Sequence, residues 1–217
     1  MSVDAARANM VQHQVRPQQV TQSKVLEALS RLPREDFVPT EYQSLAFAET
    51  FIPLDHGQSM LPPSLEGQML QALQILPSDK ILEIGTGSGY FTALLAKLGQ
   101  HVYTVDCYQD FIEDATEKLR QHHIYNVTLM HGQAENGWPN YAPYHAMVLT
   151  GSVPFIPENF KQQLSIGGRL VAVVGSGVVM HLVQITRTGP QSWETIKLLE
   201  TQIPRLIDIK EPPAFQF

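Results

Sequence analysis

Lys80-Ile-Leu-Glu-Ile-Gly-Thr-Gly-Ser-Gly-Tyr90 is an apolar run ending in a carboxylate, three alternate glycines, and the first residue of an amphipathic segment. Ile81, Leu82 and Ile84 follow Pro77-Ser78-Asp79 and stop at a glycine, the pattern of a short buried strand. Gly85, Gly87 and Gly89 permit a sharp turn and leave backbone N–H groups open to a ligand. Phe91, Leu94, Leu95 and Leu98 then recur at helical spacing, so a helix is expected from Tyr90 to Leu98. Strand, glycine loop and helix in this order predict the first crossover of a nucleotide-type α/β domain.

The loop departs from the dinucleotide fingerprint G-x-G-x-x-G, because its third glycine comes one place early. Glu83 is a second departure. A carboxylate at the end of the strand would repel a pyrophosphate in a partly desolvated cleft, but it suits a ligand with cationic and hydroxyl groups. S-adenosylmethionine has an ammonium, a sulfonium and a ribose and no phosphate, so it is the expected cofactor. The bland alternatives are a strand-end carboxylate that caps a helix, and a plain tight turn. An NAD-dependent oxidoreductase is disfavoured by Glu83 and by the glycine spacing.

Around this motif the chain alternates strands and helices. His101 to Asp106, Val127 to His131 and Tyr144 to Thr150 read as strands. Asp110 to Gln121 reads as a helix with Phe111, Ala115 and Leu119 inward, and a helix near Glu158 to Leu164 precedes Gly167-Gly168. Arg169 to Gly175, Val178 to Thr186 and Trp193 to Thr201 follow as three strands, with connections too short for helical crossovers. Such neighbours must be antiparallel, so the sheet is expected to be parallel first and antiparallel at its end. Upstream, residues 1–50 read as a helical extension, with Thr21 or Ser23 capping a helix that turns Val25, Leu26 and Leu29 inward. Pro53, Gly57, Pro62 and Pro63 keep residues 51–64 extended or looped, and a helix from Ser64 to Leu76 leads into the glycine motif. Residues 51–217 are expected to form one compact unit.

In open α/β sheets ligands sit outside the carboxyl ends of the strands, at the switch in strand order. The sequence puts there Glu83, the loop Gly85-Thr86-Gly87-Ser88-Gly89, Asp106 with Cys107, Gly132-Gln133-Ala134, and Thr150 with Gly151. The glycine loop would meet the amino-acid part of the cofactor. Asp106 would accept hydrogen bonds from ribose hydroxyls, its alternative being a helix N-cap. Gln133 carries both a donor and an acceptor for an adenine edge. His145 stands at the start of its strand, away from this end. His122-His123 reads as a solvated or capping pair, and Trp138 and Trp193 as packing residues.

The 217 residues suffice for one well-filled α/β domain. The net charge of -6 gives no general attraction to nucleic acid or anionic lipid. Cys107 is the only cysteine, which rules out an internal disulfide and points to a reducing compartment. No Cys/His cluster has zinc spacing, so no metal is expected. No signal-like or membrane-spanning apolar run is present, and a cytoplasmic location is expected. The oligomeric state is left open.

The chain resembles the protein-L-isoaspartate (D-aspartate) O-methyltransferase family along almost its whole length. The resemblance lies in Met10-Val-Gln-His-Gln-Val-Arg16, Val25-Leu-Glu-Ala-Leu29, Leu32-Pro-Arg-Glu-Asp-Phe-Val-Pro39, Ile52-Pro-Leu-Asp-His-Gly-Gln58 and Leu82 to Tyr90. It continues in Val153-Pro-Phe-Ile-Pro157 and Gln163 to Leu170. The glycine loop alone indicates only a class I methyltransferase; the Pro-Arg…Phe-Val-Pro stretch and the Gly-Gln segment narrow it. The resemblance implies a Rossmann-like fold, S-adenosylmethionine as cofactor with S-adenosylhomocysteine as product, and the isoaspartyl carboxylate of damaged proteins as acceptor. Three positions differ from the family pattern. Leu61 stands where the active-site serine is usual, Gln133 where an acid is usual, and His145 where an aspartate is usual. Ser59, two residues before Leu61 and on the same side of an extended segment, is the candidate to take over from the serine. Leu61 also leaves two alternatives: the same enzyme class with a small-molecule acceptor, and a cofactor-binding protein without catalysis. Whether Pro212-Pro-Ala-Phe-Gln-Phe217 covers the site is left open.

Overall fold

The protein is described by a computed structural model covering residues 2–207 and 209. Helices α1 (Val3–Met10) and α2 (Ser23–Arg31) precede a two-strand antiparallel hairpin, β1 (Ile52–Pro53) and β2 (Ser59–Met60). Helix α3 (Pro63–Leu73) leads into β3 (Lys80–Ile84), the glycine loop and α4 (Tyr90–Leu98). There follow β4 (His101–Asp106), α5 (Gln109–Gln121), β5 (Val127–His131), β6 (Tyr144–Leu149) and α6 (Glu158–Gln162). The chain then runs through β7 (Leu164–Val174), β8 (Met180–Gly189) and β9 (Ser192–Thr201).

Seven strands form one sheet in the order β5-β4-β3-β6-β7-β8-β9. Pairing is parallel from β5 to β7 and antiparallel from β7 to β9. The order reverses between β3 and β6, which opens a crevice at the carboxyl ends of these strands. Side chains alternate across the sheet. Ile81, Val102, Ala146, Val148, Val171 and Val173 join one core, while Leu82, Ile84, Val105, Met147, Leu170 and Ala172 join the other. The N-terminal segment belongs to the first core through Met10, Val15, Val25 and Leu29, packed with α3 and α4.

Several elements differ from the sequence reading, and for two of them the cause is visible in the packing. Strand β7 begins at Leu164, five residues before the expected Arg169, because Leu164 pairs with Tyr144 and the register then shifts around Gly167-Gly168 before Arg169 meets Ala146. Gly167, at φ +80°, lets the strand bulge there instead of ending. Helix α2 is capped by neither Thr21 nor Ser23. Its N-cap is Gln22, without a side-chain cap bond. Gln71 Oε1 accepts from the N–H groups of Thr21 (2.7 Å) and Gln22 (3.1 Å) instead, which ties the start of α2 to α3.

Candidate active site

A cleft enclosing about 820 Å3, open solvent at its mouth included, lies at the carboxyl ends of β3, β4 and β6. One wall is the glycine loop. Gly85 has φ +97°, and a Cβ there would lie 2.2 Å from Thr150 Oγ1, so only glycine fits. Thr150 in turn donates its hydroxyl to the Gly85 carbonyl at 2.6 Å, bracing the loop from the end of β6. Asp106 braces it from β4. Its Oδ2 accepts from the Gly87 N–H and its Oδ1 from the Tyr108 N–H, each at 3.0 Å. The N-cap of α5 is Tyr108, so Asp106 is not the cap that was its alternative reading. Ser88, Cys107, Tyr108 and Phe111 complete this end.

Of the residues assigned to this end from sequence, Gly85, Thr86, Gly87, Ser88, Asp106, Cys107, Thr150 and Gly151 line the cleft. Gly89 does not; at φ +81° it starts α4 and packs on Ala115, where a Cβ would come within 2.9 Å. Glu83, expected to face a ligand, lies beneath the loop, fully buried. It shares a sheet face with Ile81 and turns toward α4, where its Oε2 accepts from Thr92 Oγ1. Burial pushes its carboxyl up to about 8 against the hydrogen bonds of Thr92 and Thr104, and the nearby Asp106 adds to the shift. Its Oε1 has no partner among the described residues, which suits a carboxyl that keeps its proton. Gly132, Gln133 and Ala134 are also off the cleft. Gly132 rests on the Trp138 ring, Gln133 is exposed, and Ala134 is buried in the second core. The turn closed by the Gly137 N–H to the Ala134 carbonyl, at 3.0 Å, leads this segment into the 139–141 turn.

The other end of the cleft is made by β2 and the residue after it. Ser59 and Leu61 both line it. Ser59 Oγ is buried without a hydrogen-bond partner among the described residues, while the Leu61 carbonyl accepts from Arg34 Nη2 at 2.7 Å. Glu66, from the first turn of α3, also lines the cleft and is ion-paired to Arg34. Pro204, Leu206 and Ile207 close this side. They return after β9 and are held by Ser152, whose N–H donates to the Pro204 carbonyl (2.8 Å) and whose carbonyl accepts from the Leu206 N–H (2.9 Å). Gly151 lets Leu206 approach, since a Cβ there would be 2.7 Å from its nitrogen. The sequence reading missed Glu66 and this return segment. A charged residue among the apolar positions of α3 was a usable signal for Glu66; nothing local marks the return. His145 sits far from the cleft, its Nδ1 accepting from the Lys80 N–H at 3.0 Å.

A profile of the protein-L-isoaspartate(D-aspartate) O-methyltransferase family matches residues 5–204. The chain belongs to this family. It is 40% identical over 199 residues to the protein-L-isoaspartate O-methyltransferase of Protochlamydia amoebophila (strain UWE25), covering 91% of this chain and 95% of that one. With the enzyme of that name from Vibrio cholerae serotype O1 (strain M66-2) it shares 40% over 174 residues, 80% and 83% of the two chains. A solved protein-L-isoaspartate O-methyltransferase superposes with TM-score 0.80 at 22% identity, over 92% of this chain and 65% of that one. Another, a putative family member from Plasmodium falciparum in complex with S-adenosyl-L-homocysteine, gives 0.78 at 15%, over 93% and 98%. At these identities the two structures show the fold, which is the class I methyltransferase sheet with its antiparallel end. Family membership makes the chain a methyltransferase. Among the described residues no helix is long and apolar enough to cross a membrane.

Proposed function

We propose that this protein methylates the side-chain carboxylate of L-isoaspartyl residues in damaged proteins and peptides, using S-adenosylmethionine and releasing S-adenosylhomocysteine. The observation that carries the reading is the continuity of the cleft. A glycine loop braced by Asp106 and Thr150 walls one end of it, and Ser59, whose buried hydroxyl has no hydrogen-bond partner among the described residues, lines the other. This chain fits the cofactor. Gly85, where a side chain would meet Thr150, and Gly87 leave the loop backbone uncovered, the Asp106 carboxylate is an acceptor for hydroxyl donors, and the rings of Tyr108 and Phe111 line the same cleft for a purine. When bound, S-adenosylmethionine supplies an electrophilic methyl group on a sulfonium.

The chain's own residues bind, orient and dry the reactants. An isoaspartyl carboxylate is anionic at neutral pH, so no general base is required and alignment with exclusion of water dominates. Ser59 Oγ donates to the acceptor carboxylate, the task of the usual serine that Leu61 replaces. Met60 and Leu61 beside Ser59, with Leu54 and Leu206 against the glycine loop, give the cleft apolar walls that exclude water. Residues 1–50 belong to this reading as an extension of the methyltransferase unit, since Arg34 reaches the acceptor end from there. The test is transfer of labelled methyl to an isoaspartyl peptide and to its aspartyl twin. Label on the first alone is expected; cofactor binding without label on either would defeat the proposal. A second reading rests on Leu61, whose apolar side chain lines the cleft and would suit a small acceptor. It predicts label on small molecules from a metabolite extract and none on the peptides.

A further inference from the structure

We propose that the buried pair Arg34–Glu66 governs the acceptor end of the cleft. Arg34 is a positioning residue for Ser59 to Leu61, and Glu66 sets the local charge, so that an anionic acceptor binds best while Glu66 is neutral. This rests on the isoaspartyl reading above.

Arg34 has no solvent exposure, and its planar fork is committed on three sides. Nε donates to the Ala46 carbonyl at 2.9 Å, Nη2 to the Leu61 carbonyl at 2.7 Å, and Nη1 to Glu66 Oε2. The guanidinium also lies over the Tyr90 ring, 4.8 Å from its centroid. One rigid group thereby fixes the peptide that follows Leu61 and a carboxylate on the cleft wall. Lysine lacks the rigid planar fork that holds the Ala46 and Leu61 carbonyls and the carboxylate in one fixed geometry. The arrangement gives the Pro33-Arg34 stretch, some 25 residues ahead of Ser59, a place in the site.

Glu66 is 2% exposed and still lines the cleft. The charged and titratable groups that face it are Arg34 from the 34–37 turn, Glu49 from the segment before β1, and Tyr90 from α4. Glu49 is itself held by the hydroxyl of Ser64 and by its N–H at 3.2 Å. Burial pushes the Glu66 carboxyl up to about 7; Arg34 opposes the shift and Glu49 adds to it. Arg34 remains a cation throughout. Below pH 7 the pair therefore presents a net positive charge to an acceptor carboxylate, and above it the pair is neutral. Acceptor affinity falls as the pH rises, in a range where the isoaspartyl carboxylate does not itself titrate.

The experiment measures the Kd of a fluorescent isoaspartyl peptide, by anisotropy, on protein saturated with S-adenosylhomocysteine from pH 5.5 to 8.5. In the wild type Kd should rise about three- to tenfold through neutrality, the size of one partly screened charge interaction. Glu66→Gln should hold the low-pH affinity throughout. Glu49→Gln, at an exposed position, should move the midpoint to lower pH. Arg34→Lys should weaken the peptide at every pH while S-adenosylhomocysteine still binds. A flat wild-type profile, or matching profiles for wild type and Glu66→Gln, overturns the proposal. Should thermal melts show Glu66→Gln unfolded, an unmoved midpoint in Glu49→Gln overturns it. If the aspartyl twin binds as well as the isoaspartyl peptide at every pH, it is the functional reading that fails.

Discussion

Asp106 ties the glycine loop to the end of β4 through the Gly87 N–H, accepts from the Tyr108 N–H as well, and is the proposed acceptor for the cofactor hydroxyls. Asp106→Ala removes both functions, and the Kd for S-adenosylhomocysteine should rise at least about tenfold by calorimetry, the value of one charged hydrogen bond. Gly85→Ala puts a methyl 2.2 Å from Thr150 Oγ1 at φ +97°. It should cost about 1–3 kcal/mol in backbone strain alone and abolish cofactor binding, as read by thermal melts with and without ligand. These residues were legible in the sequence because a positive φ demands glycine and because Asp106 ends a recognisable strand. Glu83 was legible as a strand-end residue, but neither its burial nor its direction was. The two-residue period puts it with Ile81, but only the packed structure shows that this face lies under α4 and not in the cleft. Glu66 and Arg34, 32 residues apart in sequence, meet only through folding.

Among the elements, the return of residues 204–207 completes the acceptor side, and Ser152 is its anchor. The Ser152 hydroxyl donates to the Ile203 carbonyl at 3.0 Å, besides the backbone pair with Pro204 and Leu206. Ser152→Ala should loosen the return by about 1 kcal/mol. Faster hydrogen exchange at the Leu206 amide, with β3 to β6 unchanged, is the expected sign. The strands and helices of the crossover were legible because hydrophobic period and breakers agree there. Strand β7 was misjudged at its start because Gly167-Gly168 reads as a turn, whereas the sheet absorbs it as a bulge. The return segment has no periodic pattern and follows the last strand, so no local signal places it. Pro212 to Phe217 lies outside the described residues.

For the whole molecule, the parallel-then-antiparallel sheet followed from connection lengths, while the sharing of one core by residues before and after 50 did not. Apolar periodicity shows which side of a helix is buried but not what it is buried against. The fold also stores two carboxyls whose values rise on burial, Glu66 to about 7 and Glu83 to about 8, from an ordinary 4.5. Between about pH 4.5 and 8 the folded state keeps protons that the unfolded chain has lost, so these groups make stability fall as pH rises. Asp110, held low by His56, and Glu117, held at about 2 by Arg120, act with the opposite sign and only at lower pH. His101, lowered from its ordinary 6.5 by partial burial, opposes the two carboxyls below that pH. Comparing wild type with Glu83→Gln isolates one group: the Tm difference should shift in favour of the variant between pH 5 and 8. A difference independent of pH would show that Glu83 is ionised in the folded state. The most direct measurement of the whole account is methyl transfer from labelled S-adenosylmethionine to an isoaspartyl peptide, with wild type and Leu61→Ser side by side. The wild type should label this peptide and not its aspartyl twin. Leu61→Ser should raise kcat/KM by up to about 10- to 150-fold, the value of one hydrogen bond to a charged group. Cofactor binding by both proteins, with no label on the peptide from either, would contradict it.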